Sequence, residues 1–265
     1  MTQSLPNPKN HSAYNVPGLH RGLIALESLA NESEALTLSE IARALDISRS
    51  SAFRLVYTLR QLNFIREAEQ KGTYTLGARV LNLGFAYLNQ QPITSVARKH
   101  LASLRDKTGV SAHLSVLEGH DVLYLGSHQA RTGYVSNMVT GTRVEAYALA
   151  AGWVLLGQLS DAELEAFCAD IDMRAHTEHT PTSFTQLKAR VDETRDKGYF
   201  FSRGYHEAGG SSIAAPVFDN AGHVVACVNI SGPDVGFDFA RIDQFYIPET
   251  RDVALKISRE LGFAT

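Results

Sequence analysis

Cysteine is nearly absent from this chain: Cys168 and Cys227 are the two it has in 265 residues. That is too few for a disulfide framework, and a reducing compartment is the simple expectation. Tryptophan occurs once, as Trp153, and methionine three times. Long hydrophobic runs are lacking: the longest, roughly Tyr147 to Leu156, is too short to span a bilayer. The opening stretch MTQSLPNPKNHSAYN is polar and shows no apolar core of a secretory signal. No excess of one charge exists either. The balance of 25 Lys+Arg against 28 Asp+Glu leaves −3, which excludes a histone-like polycation. With 20% charged and 44% hydrophobic residues a wholly disordered chain is excluded too. The expectation is a soluble, cytoplasmic protein without a membrane span.

Catalytic signatures are also missing. No G-x-S-x-G elbow, Walker loop or G-x-G-x-x-G is present, and His206-Glu207 lacks the second histidine of a zincin helix. His176-x-x-His179 with Cys168 nearby lacks a paired-cysteine spacing and reads as surface histidines. No catalytic residue, metal ligand or cofactor is therefore assigned. Ser212, Asn229 and Ser231 lack an evident His/Asp relay, which favours recognition over catalysis.

What is present is a two-part α+β pattern, as the length predicts. Residues 1–14 hold Pro6, Pro8 and several asparagines and read as a disordered arm. A helix follows from Val16 to Ala30, with Leu19, Leu23, Leu26 and Leu29 at helical spacing. Thr37-Leu-Ser-Glu40 is a capping box opening a second helix whose inner side is Leu38, Ile41, Ala42 and Leu45. A third runs from Arg49 to Gln61 with Ala52, Leu55, Val56, Leu59 and Leu62 inward. Phe64–Glu67 and Thr73–Leu76 read as a hairpin. An apolar helix over 78–91 ends at Pro92. Beyond it the pattern predicts a helix from Ser95 to Lys107, hairpins 112–126 and 212–230, a Gly141–Arg143 loop, and an apolar helix from Leu149 to Leu159. Two more capping boxes, Ser160–Glu163 and Ser183–Gln186, and a long last helix from Phe239 to Leu261 complete it.

Three short helices and a hairpin form the order of a winged helix-turn-helix, in which the third helix enters the major groove. Ser48, Arg49, Ser50, Ser51, Arg54 and Tyr57 fall away from the inner stripe. Serines at a helix start suit phosphates, and arginine suits guanine edges or phosphate. Between Asp46 and Arg66 four arginines face one aspartate, against the sign of the whole chain. Lys71 on the hairpin completes the candidate DNA set. Phe53, beside Arg54, would pack on the wing or on the sugar-phosphate backbone. The competing reading is a plain three-helix subdomain with a solvated basic face, or a sensor or enzyme whose N-terminal helices serve protein contacts.

The stretch VPGLHRGLIALESLAN…LTLSEIARALDISRSSAFRLVYTLRQLNFI…GTYTLGARVLNLG resembles the IclR family of bacterial transcription regulators. Residues 198–233, GYFFSRGYHEAGGSSIAAPVFDNAGHVVACVNISGP, resemble the effector-domain signature of that family. The resemblance implies a winged helix over 15–77, a linker helix over 78–91 and a GAF-like effector domain over 92–265. It also implies homodimers, often paired into tetramers, on palindromic double-stranded operators, and a small-molecule effector.

For the second part, apolar strands, small residues and a few polar groups are the ingredients of a ligand pocket. Gly209-Gly210-Ser211-Ser212 lets backbone approach a ligand, and Asn229 and Ser231 share a strand face that Ser212 could meet. The resemblance implies effector contacts at Gly141 and Arg143, at Ser202 to His206, and at Ser212, Ile213, Asn229 and Ser231. Where the family usually reads Pro-Leu-His-x-Thr-Ala-x-Gly-Lys, this chain has Glu145-Ala-Tyr147-Ala-Leu149-Ala-Ala-Gly152-Trp153, and Ser202-Arg203 replaces an acidic pair. Gaining Arg203, Tyr147, Tyr205 and Trp153 favours a small carboxylate with an aromatic or planar body. Alternatively Trp153 fills space on an apolar helix, and Arg203 is a surface ion-pair partner.

Overall fold

The computed structural model describes residues 14–131 and 138–264; most of the expected N-terminal arm lies outside them. The chain divides into two compact units, Met1–Tyr87 and Leu88–Thr265, and the division falls inside a helix.

In the first unit α1 (Pro17–Asn31) precedes β1 (Leu36–Thr37), α2 (Leu38–Ala44) and α3 (Arg49–Gln61), then the hairpin β2 (Ile65–Glu67) and β3 (Thr73–Leu76), and α4 (Arg79–Asn89). The capping box of α2 forms: Glu40 N donates to the Thr37 hydroxyl and Thr37 N donates to the Glu40 carboxylate at 2.7 Å. Caps of this kind contribute about 1 kcal/mol. Asp46 takes a left-handed φ of 49° in the turn between α2 and α3. Ala25, Leu29, Ile41, Val56, Leu59 and Ile65 close the core. Leu62, expected inward, is exposed because α3 has already ended and Leu62 is its C-cap. β1 was not anticipated; its two residues pair with β3 and make a three-stranded sheet in the order β1-β3-β2. Gly77 follows β3 where a Cβ would stand 2.3 Å from the carbonyl oxygen of Asn63, so only glycine fits there.

The second unit is a six-stranded antiparallel sheet in the order β6-β5-β4-β9-β8-β7. Its elements are α5 (Pro92–Thr108), β4 (Ser111–Glu118), β5 (Asp121–His128), β6 (Arg143–Glu145), α6 (Ala150–Leu156), α7 (Asp161–Ala169), α8 (Phe184–Lys197), β7 (Phe200–Arg203), β8 (Gly210–Phe218), β9 (Val224–Pro233) and α9 (Ile247–Glu260). Strand alternation separates two cores. Ala112, Leu114, Ile213, Ala215, Val228 and Ile230 face α5 and α9. Tyr124, Ala214 and Cys227 face the other way, toward α6, α7 and α8.

Several local expectations need correction. The helix expected from Phe239 starts at Ile247; a 3-10 turn at Phe239–Arg241 and a π turn at Ile242–Tyr246 precede it. Pro248 in the first turn of α9 explains the offset, since proline suits a helix start and lacks the N–H that an interior position needs. The apolar helix near Leu149 is shorter, Ala150–Leu156, and follows a 3-10 turn at Ala146–Ala148. Arg143 sits in the edge strand β6 rather than a loop, and β7 was missed. At α8 Ser183 caps Gln186 N, but the Gln186 side chain reaches Thr182 N instead of closing a box on Ser183. No helix among the described residues is long and apolar enough to cross a membrane.

Candidate functional site

Two surfaces carry chemistry, one in each unit. On α3 the buried side is Ala52, Val56 and Leu59, while Arg49, Ser50, Ser51, Phe53, Arg54 and Tyr57 are exposed. Ser48 is the N-cap and accepts from Ser51 N, and its hydroxyl lies 3.0 Å from those of Ser50 and Ser51. The helix start is thus a patch of three hydroxyls at the positive end of the helix dipole. The structure places Ser48, Arg49, Ser50, Arg54 and Tyr57 along one exposed surface of α3. Lys71 is exposed on the separate hairpin turn, which Gly72 N fastens to the Glu67 carboxylate at 2.9 Å. Of the flanking arginines, Arg60 pairs with Glu67 at 3.5 Å.

The second surface is a cavity of about 210 Å³ on the α6 side of the large sheet. Strand register builds its floor. Ser202 on β7 pairs with Ser212 on β8, Ser212 with Ser231 on β9, and Ser231 with Ser111 on β4. One row of four serines therefore crosses four strands. The next row runs Ala214, Asn229, His113 and Ser127, and the one after it Cys227, Ser115 and Tyr124. Tyr124, Met138, Leu149, Tyr205 and His206 wall the cavity, and the end of the loop between β7 and β8 (207–209), the first residues of β8, Gly210 and Ser211, and Gly232 and Pro233 of β9 rim it. Thr180 and Thr177 hold that loop by donating to the carbonyls of Tyr205 (2.6 Å) and Gly204 (2.7 Å). Gly204 has a φ of 72°, a left-handed turn that glycine adopts without strain.

Electrostatically the cavity lining carries one carboxylate, Glu207 on its rim, and no opposing lysine or arginine among the described residues. Burial lowers the His206 pKa, with the neighbouring His176 acting the same way and Glu145 opposing. The rings of His206 and His176 are 5.0 Å apart, and His206 Nδ1 has no protein partner. In the row beside the floor, burial pushes His113 down to about 3, so it is a neutral imidazole. Burial likewise raises the Tyr124 hydroxyl, with a hydrogen bond to Asn229 opposing.

Of the expected effector residues, the structure brings Ser202, Tyr205, His206, Ser212 and Ser231 to the cavity, while Gly204 is not in its lining. Asn229 lies one row deeper, 1% exposed. Ile213 does not reach it, because its position in β8 points to the α5–α9 core. Gly141 and Arg143 are outside it as well. Arg143 pairs with Asp121 at 3.0 Å and donates to the carbonyl of Glu118. Arg203 turns away: its Nε donates to Asp234 at 2.7 Å and its guanidinium stacks over Phe239 at 4.2 Å. It is the surface ion-pair partner of the alternative reading.

Trp153 and Tyr147 stand one layer behind the wall. Trp153 is fully buried, its Nε1 donates to the Tyr147 carbonyl at 2.7 Å, and its ring meets Tyr205 edge-on at 4.9 Å. The Tyr147 hydroxyl is engaged with the Arg174 backbone at 3.1 Å and lies 3.3 Å from His176 Nε2. Among the described residues no group of three or more His, Cys, Asp or Glu side chains could hold a metal ion. Sequence reasoning missed His113, Tyr124, Met138 and Leu149. A signal for His113 existed: Ser111, His113 and Ser115 put a polar residue at every second position of a stretch that is otherwise apolar up to Leu117.

The helical order and the cavity decide between regulator and enzyme only together with kinship. A model of the IclR C-terminal region of bacterial transcriptional regulators matches residues 85–259, and one of the IclR helix-turn-helix domain matches residues 18–69. The chain belongs to the IclR family. It is 29% identical over 245 residues to the HTH-type transcriptional repressor AllR of Salmonella typhimurium, spanning 92% of this chain and 89% of that protein. A crystal structure of a transcriptional regulator from Rhodococcus sp. RHA1 superposes with a TM-score of 0.83 at 34% identity, over 93% of this chain and 98% of that one. An IclR homolog from Microbacterium hydrocarbonoxydans, complexed with 4-hydroxybenzoate, shares the fold with a TM-score of 0.78 at 23% identity, over 92% and 98% of the two chains.

As an IclR member the chain is a transcriptional regulator with a DNA-binding helix-turn-helix and an effector-binding C-terminal unit, not an enzyme. Gly152 is a position where the chain keeps the glycine of the family's usual pattern, and the structure shows why glycine is needed there. A Cβ on Gly152 would sit 1.9 Å from the Ala146 carbonyl oxygen, so α6 abuts the preceding 3-10 turn through bare backbone.

Proposed function

We propose that this IclR regulator binds a palindromic operator as a dimer or a pair of dimers, and that a small planar organic acid in the serine-floored cavity changes that affinity. Each subunit would set α3 in a major groove, with successive grooves about 34 Å apart. Ser48, Arg49, Ser50, Ser51, Arg54 and Tyr57 would supply the contacts from α3 and Lys71 those from the wing. The apolar residues left in water on α4, Leu81, Leu83 and Phe85, offer a surface for a second copy.

The observation that carries the ligand reading is the cavity of about 210 Å³ between aromatic walls and a row of serine hydroxyls. A void of roughly 150 Å³ accommodates benzene, so the space suits a single ring with one substituent. 4-Hydroxybenzoate in the Microbacterium relative is a ligand of that class. Without lysine or arginine in the lining, the carboxylate would be met by Ser202, Ser212 and Ser231 hydroxyls and by the His206 imidazole.

The test is thermal-shift screening of the full-length protein against benzoates, small aliphatic acids and their amides, followed by calorimetry. Acids that stabilise it and alter mobility of an operator complex support the reading, because binding to the folded state raises its stability by mass action. Binding only of neutral or cationic compounds rejects the acid.

A further inference from the structure

Phe53 lies in the second turn of α3 with 56% of its surface exposed. It takes no part in the N-terminal core, which closes around Ile41, Val56, Leu59 and Ile65 with Tyr74 and Leu76 of the wing packed against it. Its neighbours one helical turn away are Arg49, Ser50 and Tyr57, and Arg54 is adjacent, all exposed. The ring stands among Arg49, Arg54, Ser50 and Tyr57, a surface with two cations and no carboxylate, whose charge suits a polyanion.

The major groove of DNA offers one methyl group, that on C5 of thymine; the groups beside it are hydrogen-bond donors and acceptors that a phenyl ring cannot satisfy, or flat ring C–H edges that offer it little area. Base edges are met by residues in the first turns of a recognition helix, where Phe53 stands. Arg49 and Arg54 beside it supply the charge complementarity that draws this surface to a phosphate-lined groove.

We propose that Phe53 is a specificity-determining residue that reads one thymine per half-site through its 5-methyl group. The proposal rests on α3 being the DNA-reading helix and adds the base it prefers. The ring gains contact area mainly from the methyl, so it discriminates thymine from uracil, a distinction that arginine or serine contacts to the same edge do not make.

The experiment selects bound duplexes from a random-sequence pool with the full-length protein, then replaces each thymine of the selected sequence by deoxyuridine and measures affinity. Burying one methyl is worth about fourfold, and about fifteenfold when both half-sites are changed. The expected result is one uracil-sensitive position per half-site for the wild type and equal binding of thymine and uracil duplexes by Phe53→Ala. Phe53→Leu, which keeps an apolar tip, should retain part of the discrimination. A selected duplex indifferent to uracil, or a uracil penalty that persists in Phe53→Ala, overturns the proposal while leaving DNA binding intact. A pool that yields no preferred duplex overturns both this proposal and the reading of α3 beneath it.

Discussion

His113 on β4 stands directly opposite Asn229 on β9, the two almost entirely buried, and neither imidazole nitrogen nor the Asn229 Oδ1 has a protein hydrogen-bond partner. Leaving such groups unpaired costs about 1–3 kcal/mol each. Their row adjoins the serine row on the same face of the sheet, so the sheet keeps buried polarity directly beside the ligand floor at a cost to stability.

Acid sensitivity follows from this pair. His113 ordinarily titrates near 6.5 but is held down to about 3 by burial. Below pH about 6.5 the unfolded chain takes up a proton that the folded chain refuses, so stability falls as pH drops from 6.5 toward 3. The slope is on the order of 1 kcal/mol per pH unit from this residue. Melting temperatures of the wild type and His113→Leu between pH 4.5 and 7.5 should diverge on the acid side, with the variant flatter; parallel curves would assign the sensitivity elsewhere.

Trp153 and Gly152 predict stability effects rather than lost ligand contacts. Trp153→Ala should cost about 3–5 kcal/mol, because it empties a fully buried site. Gly152→Ala should do at least as much harm, since its Cβ would collide with backbone that no rotamer change can move. Denaturant unfolding checks both. A Trp153→Ala protein of wild-type stability would contradict the packing described.

Arg54→Ala should weaken operator binding by about 1–3 kcal/mol and leave the melting temperature unchanged, because Arg54 is exposed and off the packed side of α3. If the lost contact is to phosphate, the slope of log affinity against log salt should shrink by about 1. Fluorescence anisotropy at several salt concentrations measures both. Unchanged affinity would remove Arg54 from the reading surface.

Effector binding should take up a proton. Burial and His176 depress the His206 pKa in the protein, and an anionic ligand beside the ring would raise it again, so acids should bind more tightly as pH falls. Calorimetry in buffers of different ionisation enthalpy should show proton uptake that His206→Gln abolishes. Proton release, or uptake unchanged in His206→Gln, would argue against this contact.

Arg203→Gln should leave effector affinity within about twofold and stability within about 1 kcal/mol, as expected for an ion pair whose guanidinium faces solvent while Asp234 is partly buried. A tenfold loss of effector affinity would return Arg203 to the ligand site.

Much of the architecture was legible beforehand because its signals are local. Thr37 and Glu40 are three residues apart, Gly109 ends α5 with a φ of 72°, and the Asp219–Gly222 turn closes β8 on β9 through two backbone bonds to the Asp219 carboxylate. The π turn before α9 was overlooked because apolar spacing continues through it, although Pro248 marks where the α-helix starts.

The linear order of residues by itself determined the two-part organisation, the inward stripe of α3 and the serine-arginine surface opposite it, because periodicity and capping act within a few residues. Only tertiary structure decided which polar groups share a row. Ser202, Ser212, Ser231 and Ser111 are separated in sequence and become neighbours through strand register, a long-range property set by how whole strands pair. The same folding sent Arg203 to Asp234 and sealed Trp153 behind Tyr205, since the direction a side chain takes depends on the layer packed against it.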